Sequence, residues 1–183
     1  MSIARWLCVL GLTVLAACGI PIDAEPETLV VELEAMADEP GSEPGELATA
    51  TLYLVSGETL VRVTRDLPDP ARLDQVLESL FEGTTEPEER ASLRSAVPPG
   101  TRLIDLAVDG NTVRIDLNPA FASVGGEEET LAVAQIVLTA TGTLGVDRVL
   151  FQLEGVPTAV PVAGGALSTA PVGADDYAPL VSP

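Results

Sequence analysis

Residues 127–141 place the tightest constraint on what this chain can become. After Glu127-Glu128-Glu129, every position through Thr141 is apolar or Thr, save the lone amide Gln135. The stretch is rich in β-branched residues, so intrinsic propensity alone does not decide between helix and strand. Its length and acidic first turn favour a helix, because carboxylates suit the positive end of the helix dipole. A helix that is apolar nearly all round has no face to offer water and must be buried. Gly142 and Gly145 let it stop. Gln135 then reads as a buried amide bonded to backbone, since buried polar groups are normally paired; contact with a partner is the alternative.

The segments around this helix show two periodicities. Thr49 to Val55 reads as a strand, Ser56-Gly57-Glu58-Thr59 as a turn, and Leu60 to Thr64 as a second strand with Val61 and Val63 on one face. Asp69 and Pro70 predict a helix start. Leu73, Val76, Leu77, Leu80 and Phe81 follow at helical spacing, and Gly83 stands at the C-terminal left-handed position. Thr85 and Glu88 have the spacing of a capping box for a short helix through about Leu93, and Pro98-Pro99-Gly100 ends it. Leu103 to Val108 and Thr112 to Leu117 flank Asp109-Gly110-Asn111, a hairpin signal that puts Ile104, Leu106 and Val108 on one face. Arg148 to Leu153 is a further strand, Glu154-Gly155 a turn, and Thr158 to Val162 a short edge strand. The order β-β-α-(α)-β-β-α-β predicts an α+β fold, a mixed sheet with two main helices on one face.

The N-terminus reads as an address. Arg5 precedes an apolar run from Trp6 to Ala17. As a helix such a run reaches ~18 Å, short of a hydrocarbon core of ~30 Å, which fits a signal peptide over 1–17. It ends in Leu15-Ala16-Ala17-Cys18, which resembles a bacterial lipobox, with the Cys18 thiol as the atom that accepts diacylglycerol. Cys8 leaves with the signal, so the mature chain is expected to hold no disulfide and no cysteine metal site. Residues 18–48 read as the lipidated cysteine and an acidic flexible tether. Residues 19–48 hold nine acids and no base, with Pro and Gly throughout. The apolar patch Leu29 to Met36 reads as a marginal element, with a partner-docking segment as the alternative. The folded domain is expected over 49–177 and a tail over 178–183. The expected location is the outer face of the cell membrane, lipid-anchored.

Composition removes several functions. The net charge is −19, and its nine cations are all Arg, with no Lys and no His. Nucleic-acid binding rests on cations that neutralise phosphates, and this chain has few. Without His there is no Ser-His-Asp triad, and without Lys no Schiff base and no P-loop lysine.

Several stretches together look like a known family. They are Leu52-Tyr53-Leu54-Val55, Leu77 through Gly83, Leu93 through Thr101, Val108-Asp109-Gly110 through Leu117, Ala134-Gln135-Ile136-Val137 with Thr139, Val149-Leu150-Phe151 with Glu154-Gly155, and Asp176-Tyr177. In this order and spacing they resemble the GerMN domain of bacterial sporulation and spore-germination lipoproteins and of actinobacterial surface lipoproteins. Thr84 departs from the Pro usual after the glycine, and Asn118 from the Ser common after the Asp-Leu pair. The resemblance implies a non-catalytic module whose core is similar to ring-building motifs, hence an envelope protein partner or self-association.

The remaining candidates favour bland readings. Asp109 suits its turn, and Asp116 suits solvent exposure or pairing with Arg114. Nothing in the sequence fixes the separation of these two acids as a glycosidase needs. Glu127-Glu128-Glu129 lacks the alternating ligand spacing of a calcium loop. Gly125-Gly126 before three carboxylates is a poor phosphate site, and Ser95 has no base. The expectation is no catalytic residue, no metal and no cofactor, with Cys18 as the one modified site. The expected function is an anchored, non-catalytic protein-interaction or scaffold domain in a cell-envelope process. The alternatives are a lipoprotein that binds a solute or cell-wall fragment and, last, a carboxylate hydrolase.

Overall fold

The computed structural model describes residues 46–182. The expected signal peptide over 1–17, Cys18, nearly all of the expected tether and the Leu29 to Met36 patch lie outside those residues. The described chain begins with a long hairpin, β1 (Leu47–Ser56) and β2 (Thr59–Pro68), paired antiparallel from Leu47 opposite Pro68 to Ser56 opposite Thr59. Gly57, with φ of +63°, makes the tight turn. Both strands outrun the predicted 49–55 and 60–64. The alternation in β2 continues past Val61 and Val63 through Arg65 and Leu67, all less exposed than the residues between them. A charged residue at an inward position hid that continuation from the sequence pattern.

Helix α1 (Leu73–Phe81) starts after Arg72 and not at the predicted Asp69 cap. The Asp69 N–H is taken by the Glu46 carbonyl (2.8 Å), which prolongs the ladder past β2. The helix start is served by Gln75, whose Oε1 accepts the Arg72 N–H (3.1 Å). Val76, Leu77 and Leu80 are buried, and Gly83 has φ of +89°, as the C-terminal signal predicts. Helix α2 (Glu86–Arg90) opens on the predicted capping box, in which Glu88 accepts the Thr85 N–H at 2.6 Å. It ends before Leu93 because Ser92 turns the chain at φ of +62°. Arg94 then pairs with β1, exchanging both backbone bonds with Val55 at 2.8 and 2.9 Å.

The mixed sheet has the order β3 (Leu103–Asp109), β4 (Thr112–Leu117), β5 (Arg148–Leu153), β6 (Val156–Pro157). β3 and β4 run antiparallel, β4 and β5 parallel, β5 and β6 antiparallel. Glu154 and Gly155 turn between the last two at φ of +50° and +79°, the left-handed pair of a type I′ turn. The predicted apolar face of β3 does not form as expected. The register shifts between Leu103 and Asp105, so Ile104 points outward at 53% exposure, and Val108 at the sheet edge is 56% exposed. A bulge and two aspartates on an edge strand discourage further pairing.

Helix α3 (Glu127–Thr141) forms over the predicted residues, and Leu131 through Ala140 are all buried. It is the axis of the core, packed by β1, α1, β5, β7 (Val160–Pro161) and a C-terminal 3-10 helix, Ala174–Leu180. The predicted edge strand 158–162 shortens to β7, which pairs with β8 (Leu167–Ser168). Below α3, Phe121 and Phe151 stack with centroids 6.2 Å apart.

One ion pair ties the hairpin to both short helices. The Arg65 and Glu88 side chains are 11% and 12% exposed. Arg65 donates Nε to Oε1 (3.1 Å) and Nη2 to Oε2 (2.7 Å) of Glu88. Its other donors reach the Gly83 carbonyl (2.6 Å), the Ser79 Oγ (3.1 Å) and the Ser79 carbonyl. All five guanidinium N–H groups are thereby used. Burial by itself would raise the Glu88 carboxyl, but the Arg65 guanidinium and the Thr85 N–H hold it below its ordinary value of 4.5. The stabilisation from Glu88 is therefore complete above about pH 4.5 and is lost as pH falls through the lower folded value. Urea midpoints measured from pH 7 to pH 3 should fall in that acid window, and Glu88→Gln should flatten the fall.

Candidate functional site

Gln135 and Thr139 sit one turn apart on α3, on the face toward β1. Gln135 Nε2 donates to the Tyr53 carbonyl (2.9 Å), and its Oε1 accepts the Ala96 N–H (2.6 Å). Thr139 Oγ1 accepts the Tyr53 N–H (3.2 Å). The edge of β1 facing away from β2 is thus closed at Tyr53 by two side chains and at Val55 by Arg94. Gln135 is fully buried and bonded to backbone, as its sequence context predicts.

The acids separate into structural and exposed groups. Asp109 ends β3 at the hairpin turn and is exposed. Asp116 corrects its expectation: it is 5% exposed, and its Oδ1 accepts the Gly155 N–H (3.0 Å). Arg114 pairs instead with Asp105 at 3.1 Å. The tight turn between β5 and β6 brings Gly155 over Asp116, a contact between residues 39 apart. Ser95 accepts the Val97 N–H in a local turn. Tyr177 is buried, donates to the Pro161 carbonyl (2.9 Å), and has its pKa raised by burial and by the neighbouring Asp176 charge. Among the described residues no group of His, Cys, Asp or Glu is placed to hold a metal. Among them too, Arg114 Nε is the one buried side-chain polar atom without a partner.

A concave surface lies at the N-terminal end of α3. It is a groove of about 1030 Å³, with Leu131, Pro161 and Leu180 among its apolar lining and Leu167 70% exposed at its rim. Glu58 from the β1–β2 turn and Glu127, Glu128 and Glu129 from the first helical turn make it acidic. Arg94 engages Glu128 through both nitrogens, Nη2 at 3.1 Å. Sequence reading took the three glutamates as a helix start, which they are. It missed that Glu58 and the β7–β8 turn converge on them.

Comparison with known proteins agrees with this architecture. The family model described as Germane, sporulation and spore germination, matches residues 51–159. The chain belongs to that family. Among solved structures, the Germane fold here is similar to the tandem GerMN domains of the sporulation protein GerM from Bacillus subtilis, at 20% identity and a TM-score of 0.56. That match covers 72% of this chain and 48% of the other, so this chain spans about half the length of that protein. The first GerMN domain of the same protein matches at 19% identity and a TM-score of 0.54, over 70% of this chain and 98% of that one. A putative lipoprotein from Clostridium perfringens matches at 15% identity and a TM-score of 0.50, over 74% and 93%. At such identities these likenesses concern the fold alone. No curated protein matches the sequence.

Proposed function

We propose that this protein is a lipid-anchored, extracytoplasmic lipoprotein whose GerMN-like domain acts in a cell-envelope process by protein contact and not by catalysis. The observation that carries the second half is where the buried polar side chains go. Ser79, Thr101, Asp116, Gln135 and Thr139 all bond within the domain itself. A catalytic group needs an unspent donor, acceptor or proton aimed at a substrate, and these are spent on the fold. What is left for recognition is surface. The first half rests on Arg5, the short apolar run and Leu15-Ala16-Ala17-Cys18. Among the described residues no helix is long and apolar enough to cross a membrane. Acylation of Cys18 would supply the attachment, since two or more chains hold far better than one.

Cys18→Ala is expected to move the protein from the membrane fraction to the soluble or secreted fraction, and to abolish incorporation of labelled palmitate. Retention of the variant in carbonate-washed membranes would sink the anchor. The protein-contact reading is tested by placing photo-crosslinking side chains across the domain surface in cells that express the full chain. Discrete products at particular positions are expected.

A further inference from the structure

The geometry points to the groove at the start of α3 as the docking site for a basic, leucine-anchored peptide segment of a partner protein, an inference that rests on the protein-contact reading above. Its shape and lining set the apolar part. Leu131 and Pro161 are buried beneath it, and Leu180 is half-buried. At the rim Leu167 stands 70% exposed on a two-residue strand, and among the described residues none covers it. At about 1030 Å³ the groove has room for several side chains.

Charge selects the occupant. Four carboxylates face one guanidinium here, and Arg94 is already committed to Glu128. Among the described residues Glu58, Glu127 and Glu129 have no ion pair. Residues 19–45 contain no base, so the chain's own acidic stretch cannot neutralise the groove. A second copy carries 28 acids against nine Arg and is repelled, as is an anionic lipid surface. A cationic segment with apolar anchors is complementary on both counts.

Position agrees. Leu47, where the chain enters the domain, and Glu58 lie at opposite ends of the β1–β2 hairpin, about 30 Å apart for a ten-residue strand. A domain held through its N-terminal side thus presents the groove away from its point of attachment.

The test is fluorescence anisotropy of a labelled twelve-residue peptide of alternating Lys and Leu, titrated with the full-length chain. Binding is expected, and E58Q/E127Q/E129Q should weaken it about tenfold. Leu167→Ser should weaken it a few-fold, and 0.5 M salt should suppress it. The control variant E78Q/E82Q/E154Q removes as many exposed charges elsewhere and should leave binding intact, with both variants melting like the parent. Three results overturn the proposal: no binding, equal weakening by the two triple variants, or equal binding of a Lys-Ser peptide. Photo-crosslinks in cells separate this from the broader reading. Products from position 108 and other surface positions but none from 167 would overturn the groove and leave protein contact standing. No products from any position would remove both.

Discussion

Arg65→Ala is expected to destabilise the domain by about 3–5 kcal/mol, the usual cost of removing one partner from a buried ion pair. That is a large share of the ~5–15 kcal/mol that holds a typical domain together. The effect has three sources. Glu88 is left charged at 12% exposure with its main partner gone. The Gly83 and Ser79 carbonyls lose donors at the end of α1. The aliphatic stem of the arginine, which fills the inward side of β2 beside Val63 and Leu67, is removed as well. Arg65→Lys should recover only part, because an ammonium cannot reproduce the two-pronged contact with the carboxylate. Urea unfolding monitored by circular dichroism measures this directly. A shift below ~1 kcal/mol for Arg65→Ala would place the pair among surface ion pairs, whose worth is that small.

Gln135→Leu is expected to cost about 3 kcal/mol, although the two side chains are close in size. The Ala96 N–H and the Tyr53 carbonyl would each be left buried without a partner, at ~1–3 kcal/mol apiece. Amide hydrogen exchange at Ala96 should quicken even where global stability survives, since its acceptor is gone. Gln135→Glu offers a sharper version. A carboxylate can accept from Ala96 but cannot donate to Tyr53, whereas the protonated acid can do both. The deficit of Gln135→Glu relative to the parent should therefore shrink toward acid pH. A deficit that stays constant from pH 7 to pH 4 would mean that Gln135 matters for its volume and not for its bonds.

These two sites show where reading the residues succeeds and where it fails. Gln135 was identifiable as a bonded core amide because a lone polar group in an otherwise apolar helix has few other options. Arg65 was not, because charge at that position reads as the end of a strand. Its signal was available in the alternation Val61, Val63, Arg65, Leu67, once an inward arginine is admitted as a clamp. Asp116 was misplaced because the N–H it accepts, that of Gly155, belongs to a turn 39 positions away. Asp69 resembled a helix cap by local chemistry and lost that role to the hairpin, whose Glu46 carbonyl claims its N–H. The groove at α3 was illegible as a groove. Its glutamates were visible, but no local rule joins them to Glu58 or to Leu167.

The division has one physical origin. Helix α3, the turns at Gly57, Gly83 and Glu154-Gly155 and the α+β class follow from periodicity, caps and turn chemistry. These depend on residues within about a turn of one another, so the linear order of the chain contains them. The pairing of Arg65 with Glu88, the closure of the β1 edge by Gln135 and Thr139, and the acidic groove depend on which distant residues the collapsed core brings together. Those contacts span 23 and 82 positions for Arg65–Glu88 and Gln135–Tyr53. They form because a buried donor left without an acceptor is costly, and only the packing says which acceptor is within reach.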